Sequence, residues 1–87
     1  MTISRSEFLR LLPAAVGGVP FDVTDGVISH ECAERGWRIT LTALPDRVHG
    51  PIRLERQRVE FAFRGYCAEE LAAFFRRFDL YFARGGG

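Results

Sequence analysis

The stretch Tyr66–Arg84 constrains this chain more than any other. Leu71, Phe74, Phe75, Phe78 and Phe82 recur at the three- and four-residue steps that line one side of an α-helix, with Glu69, Glu70, Arg76, Arg77 and Arg84 off the stripe. Burying those five side chains at about 2 kcal/mol each would give roughly 10 kcal/mol gross, comparable to the whole net stability of a small domain. A helix this aromatic needs an apolar surface, and the rest of the chain must build it.

With 87 residues there is room for one small domain, residues 1–87, with 85–87 as a glycine tail. The 47% hydrophobic and 26% charged composition is that of a folded protein rather than a disordered one.

Ser4-Arg5-Ser6-Glu7 is a capping box in which the Ser4 hydroxyl accepts from the Glu7 amide and the Glu7 carboxylate reaches back to the Ser4 amide. It opens a short helix with Phe8, Leu11 and Leu12 on its apolar side, ending near Leu12 because Pro13 follows. Gly17-Gly18 and Pro20 then punctuate a connector. Without a preceding strand and a following Lys-Ser pair, the two glycines do not make a phosphate loop.

Asp25-Gly26 lies between two β-like runs, Phe21–Thr24 and Val27–Cys32, and is a preferred two-residue hairpin turn. In that register Thr24 faces Val27, Val23 faces Ile28 and Phe21 faces His30, which puts Phe21, Val23, Ile28, His30 and Cys32 on one face. Arg35-Gly36 offers a second turn, placing Cys32, His30 and Ile28 opposite Ile39, Leu41 and Ala43 of a strand from Trp37 to Leu44. Both turns put the apolar residues on the same face.

Pro45–Pro51 reads as a loop, followed by Ile52–Leu54 and Arg58–Arg64. Ile52 and Leu54 are out of phase with Val59, Phe61 and Phe63, which suggests a β-bulge in Glu55-Arg56-Gln57, with Ile52 and Leu54 meeting Leu44 on the far face. Gly65 leads into the last helix, where Cys67 stands in the capping position of a second box with Glu70. The expected fold is therefore α+β: a two-layer α-β-β-β-β-α chain whose four-stranded antiparallel meander receives the N-terminal and C-terminal helices on one face.

His30, Cys32, His49 and Cys67 are zinc-ligand residue types, but their spacings match no standard finger. The reading preferred for His30 and Cys32 is a satisfied core histidine beside a small buried thiol. Cys67 at a helix start with His49 as base would make a nucleophilic dyad only if the fold joined them. No nucleophile elbow, P-loop or dinucleotide fingerprint is present. The expectation is a non-enzymatic protein with no catalytic, metal or cofactor residues. Two cysteines make no disulfide framework, and the start of the chain makes a poor signal peptide, so a cytoplasmic protein with no membrane association is expected.

All 12 basic residues are arginines, a bias that GC-rich, bacterial-like codon usage explains without a function. The net charge of +1 argues against a dedicated nucleic-acid binder. Arg38, Arg58 and Arg64, with Thr40, nevertheless fall on the sheet face that no helix covers. Binding of single-stranded RNA or another nucleic acid there is the alternative reading, weakened because the aromatics lie on the other face. The favoured reading is a small protein-interaction or adaptor domain with a protein partner or a second copy of itself. Its candidate surface is Leu80 and Tyr81, off the helix's main stripe, together with Arg38, Thr40, Arg58 and Arg64.

Arg84-Gly85-Gly86-Gly87 resembles the diglycine ends of ubiquitin-like modifiers and sulfur carriers. Those domains begin with a hairpin and end in a strand, whereas this chain begins and ends in helices, so the resemblance covers the tail alone.

Overall fold

A computed structural model of the chain describes residues 1–86, with side chains described through Phe82. Gly87, the last residue of the expected glycine tail, lies outside the described residues. The elements are α1 (Arg5–Ala15), β1 (Asp22–Thr24), β2 (Val27–Glu31), β3 (Gly36–His49), β4 (Ile52–Arg64) and α2 (Ala68–Gly86). The strands form one antiparallel sheet in the order β1-β2-β3-β4, and α1 and α2 pack side by side on one of its faces. No helix among the described residues is long and apolar enough to cross a membrane.

The helix starts divide the capping box between them. At α1 the Ser4 hydroxyl accepts from the Glu7 amide at 3.1 Å, but the Glu7 carboxylate turns outward to Arg10, whose hydrogen bond holds it below its ordinary pKa. At α2 only the other half forms: the Cys67 amide donates to Glu70 Oε1 at 3.1 Å, because a thiol is a poor cap. Pro13 does not stop α1. It sits in the last turn, where its missing N–H costs a single intrahelical bond, and the helix closes two residues later in a Schellman motif. In that motif the Gly18 amide donates to the Pro13 carbonyl at 2.8 Å and the Gly17 amide to the Ala14 carbonyl at 3.2 Å. Arg77 of α2 adds a bond from Nε to the same Ala14 carbonyl at 2.8 Å, bringing a cation to the negative end of α1 and tying the two helices together.

The first hairpin has the expected register, Val23 opposite Ile28 and Thr24 opposite Val27, with Asp25 and Gly26 at φ +47° and +80° as its turn demands. The second hairpin does not turn at Arg35-Gly36. Glu31 is the last partner of Gly36, and residues 32–35 form the loop, closed by the Cys32 amide on the Arg35 carbonyl at 2.8 Å. Ile28 therefore faces Ile39 and His30 faces Trp37. The displacement is even, so the apolar face is unchanged. Gly36 is required for space: a Cβ there would come within 2.8 Å of the His30 carbonyl oxygen. Cys32 is in the loop and exposed, not on the core face.

The largest departure is at Pro45–Pro51, which is strand rather than loop. β3 runs on to His49 and pairs with β4 until Gly50-Pro51 turns the chain. The irregularity falls between Leu44 and Arg47 of β3, not in Glu55-Arg56-Gln57 of β4. β4 needs no bulge, since plain alternation already sends its odd residues to the helix-side face and its even ones to the other. Pro45 explains why the extra residue is in β3. Leu41, also odd, donates its amide away from β4 to the Gly26 carbonyl, so Pro45 falls where β3 has no ladder bond to lose.

The core is Phe8, Leu12, Ala15 and Val16 of α1 and its C-cap, Ile28, Trp37, Ile39 and Leu41 of the sheet, and Phe78 and Phe82 of α2. Leu71, Phe74 and Phe75 are half-buried, so the α2 stripe is core at its C-terminal end and shoulder at its start. Val23 is 43% exposed, because β1 is a three-residue edge strand beyond the reach of the helices.

Candidate interaction surface

Between positions 42 and 56 no residue is buried and only Leu44 and Arg56 are partly so. Here the β3–β4 hairpin leaves the two-layer body and continues as a two-stranded ribbon, which accounts for the chain's 48 Å long dimension against 26 and 19 Å across. Gln57 marks the border. It is the buried polar residue on the helix-facing side, and beyond it that side changes from Phe61 and Val59 to Glu55 and Arg53.

The ribbon holds much of the exposed apolar surface: Val48 at 60%, Ile52 at 55% and Leu54 at 40% exposure. The register puts Arg47 opposite Leu54 and His49 opposite Ile52 on the helix-free face, with Val48 opposite Arg53 on the other. The lone close ion pair within the ribbon is Arg53 with Asp46 at 3.9 Å, well exposed and worth little.

Thr40 is opposite Glu60, Arg38 opposite Ala62, and Arg58 opposite Thr42, so Arg38, Thr40, Arg58 and Arg64 do share the bare face. Arg64 is engaged there, donating to Glu31 Oε2 at 2.7 Å and to the Cys32 carbonyl at 3.0 Å. Among the described residues Arg38 and Arg58 have no carboxylate within ion-pairing distance. Leu80 and Tyr81 are not part of this face; they belong to the helix layer on the other side of the sheet. Leu80 is 55% exposed, and Tyr81 packs on the core with the Arg77 guanidinium 5.7 Å from its ring. The six expected surface residues thus divide into two separate regions.

The ribbon itself is the feature that sequence reasoning missed. Its signal was Arg47-Val48-His49 and Ile52-Arg53-Leu54 flanking Gly50-Pro51, a glycine-first two-residue turn.

The chemistry-bearing residue types are dispersed. His30 Nδ1 is 2.6 Å from the Pro20 carbonyl oxygen, so the imidazole is satisfied by backbone, and its ring centroid is 5.8 Å from that of Trp37. His49 and Cys67 lie at opposite ends of the 13-residue β4, on the order of 40 Å apart, which rules out the dyad. Among the described residues no three His, Cys, Asp or Glu side chains converge as metal ligands would. A cleft of about 360 Å³ beside the start of α1, lined by Met1, Ile3, Glu7, Leu11 and Phe82, holds a single carboxylate and no base to work with it.

No known protein family, curated protein or solved structure matches this chain, so its function has to be argued from these surfaces.

Proposed function

We propose that this chain is a non-enzymatic protein-interaction module whose contact element is the β3–β4 ribbon. The observation that carries the reading is the ribbon's apolar content. Two strands alone are marginal in water, and a ribbon that carries Val48, Ile52 and Leu54 into solvent gains stability when another surface covers them. Leu80 on α2 is a second, smaller apolar point on the opposite layer.

The test is a ribbon-deleted variant in which an Asn-Gly turn joins Leu44 to Arg56, a pair whose backbone groups face each other in the ladder, and replaces everything between them. Circular dichroism and thermal unfolding should show the two-layer body retained. Sedimentation velocity and chemical cross-linking should show the association of the full chain lost. A full chain that sediments and cross-links as its ribbon-deleted form does would end the reading.

Single-stranded RNA is the competing partner class. Its support is that β3 and β4 together carry six arginines against three carboxylates, with Arg38 and Arg58 outside any ion pair among the described residues. Against it, Phe61 and Phe63 are turned toward Phe74 and Phe75 of α2, leaving His49 at the ribbon tip as the ring that the described strands present on the bare face. Under the protein-interaction reading, fluorescence polarisation with an RNA oligonucleotide at low salt shows no binding. Binding that falls steeply with salt and weakens on Arg58→Ala would transfer the assignment to RNA.

A further inference from the structure

We infer that the ribbon's partner is a second copy of this chain, joined by antiparallel pairing of β4 with β4 about a two-fold axis at Leu54. This rests on the ribbon's being the contact element. β4 is the last strand of the sheet, so one side of it is an open edge. The Gln57 amide donates to the Met1 carbonyl at 2.8 Å, and the Gln57 carbonyl accepts from the Met1 amine at 2.7 Å. The odd residues of β4 therefore turn their backbone groups to the edge. Met1 occupies those of Gln57, while those of Arg53 and Glu55 have no protein partner among the described residues.

That geometry restricts the pairing. Odd residues must face odd residues, so the two-fold axis passes through a residue of β4. Centred on Arg53, the pairing sets Arg53 against its own copy; centred on Glu55, it sets two carboxylates together and asks Gln57 for bonds already given to Met1. Centred on Leu54, Arg53 faces Glu55 of the second copy twice over, with backbone bonds exchanged at both pairs. Leu54 then meets Leu54 across the axis, and Ile52 lies along the aliphatic part of Arg56. The pairing stops where Pro51 of one copy reaches Gln57 of the other. Neither can extend the ladder there, since proline has no N–H and Gln57 is held by Met1. The two bodies lie at opposite ends of the joined ribbons, clear of each other.

Three other registers on this edge pair opposite charges; those centred on Arg58 and Val59, which set Glu60 against Arg56 and Arg58, both ask Gln57 for bonds already given to Met1. Centring on Ala62 puts Glu60 against Arg64, but Arg64 is already bound to Glu31 and to the Cys32 carbonyl, and Phe61 and Phe63 are already packed against α2. Val48, Ile52 and Leu54 are exposed on the ribbon, and the Leu54 register brings Ile52 and Leu54 of these against the second copy.

Charge exchange and directed cross-linking test this together. By sedimentation equilibrium up to concentrations on the order of 1 mM, Arg53→Glu and Glu55→Arg should each weaken dimerisation roughly 3- to 30-fold, since each sets like charges opposite one another in both pairs. The double variant R53E/E55R should return to within about threefold of the parent, because the pairs are only exchanged. In a Cys32→Ser, Cys67→Ser background, Leu54→Cys should form the interchain disulfide fastest. Its Cα atoms would be about 4.5 Å apart across the axis, inside disulfide range. Fastest cross-linking at Ala62→Cys, a double variant no tighter than the single ones, or a chain that stays monomeric throughout would each overturn the inference. A dimer that forms without bias toward position 54, yet is lost on ribbon deletion, would overturn the register and leave the ribbon reading standing.

Discussion

Phe78→Ala is expected to cost about 3–5 kcal/mol, more than any other single truncation in α2. Phe78 is 3% exposed, and its ring is the meeting point of both helices and the sheet. Ring centroids lie at 4.3 Å to Phe82, 5.1 Å to Phe61 and 6.1 Å to Phe8. Truncation would leave a void among aromatics fixed by backbone on three sides, where little collapse can refill it. At roughly 4–8 °C per kcal/mol for a domain of this size, the midpoint of thermal unfolding should fall by on the order of 12–40 °C. Leu80→Ala, two residues on but 55% exposed, should change stability by no more than about 0.5 kcal/mol. Urea unfolding followed by circular dichroism measures both. Equal effects at the two positions would mean that α2 docks on a different face.

Gly65→Ala should be comparably damaging for a different reason. Gly65 joins β4 to α2 at φ +76°, where an L-residue pays about 1–2 kcal/mol before any contact is counted. A Cβ there would also overlap the Glu34 carbonyl oxygen and lie 3.3 Å from the Arg35 Cα, backbone atoms of the β2–β3 loop that cannot rotate away. We expect a loss of about 3 kcal/mol or more, with the Arg35–Glu70 ion pair and the start of α2 displaced. Gly50→Ala isolates the conformational part. Gly50 has φ +62°, but a Cβ added there would meet nothing within 4 Å, so only the backbone penalty of about 1–2 kcal/mol applies, and it falls on the ribbon tip. Comparing the two midpoints separates the contact from the φ requirement; a Gly65→Ala midpoint no lower than that of Gly50→Ala would contradict the close approach.

What could be read from the residues was whatever local chemistry decides. Asp25-Gly26 set the first hairpin to the residue, Ser4 set the start of α1, and the alternation of Trp37, Ile39 and Leu41 with Arg38 and Thr40 set the buried face. The α-β-β-β-β-α order and the single helix-bearing face follow from those signals. Among the readings that fail, those of Gly36 and Pro45 do so because tertiary context outweighs local signal. Gly36 looks like a turn residue but is a packing residue, so the second turn falls earlier than the local signal places it. Pro45 looks like a strand end, yet a proline whose missing donor points off the ladder only bulges the strand. Missing that strand concealed the ribbon, and with it Val48, Ile52 and Leu54 as surface. The exposure of Leu80 and of the arginines of the bare face is legible, because an off-stripe helical residue and even-numbered strand residues follow from periodicity alone.

The contact between the two helices also sets an order of events during synthesis. Arg77 closes on Ala14 across 63 positions of sequence, and Phe8 finds its aromatic neighbours Phe78 and Phe82 in α2. At roughly 5–20 residues per second, α1 leaves the ribosome on the order of 3–13 seconds before the helix that covers it. Over that interval the β-hairpins can form from neighbouring residues while Phe8, Leu12 and the Trp37 face stay uncovered. A nascent chain stalled before Phe78 would therefore present its sheet with the apolar side open, the state in which a chaperone would find it.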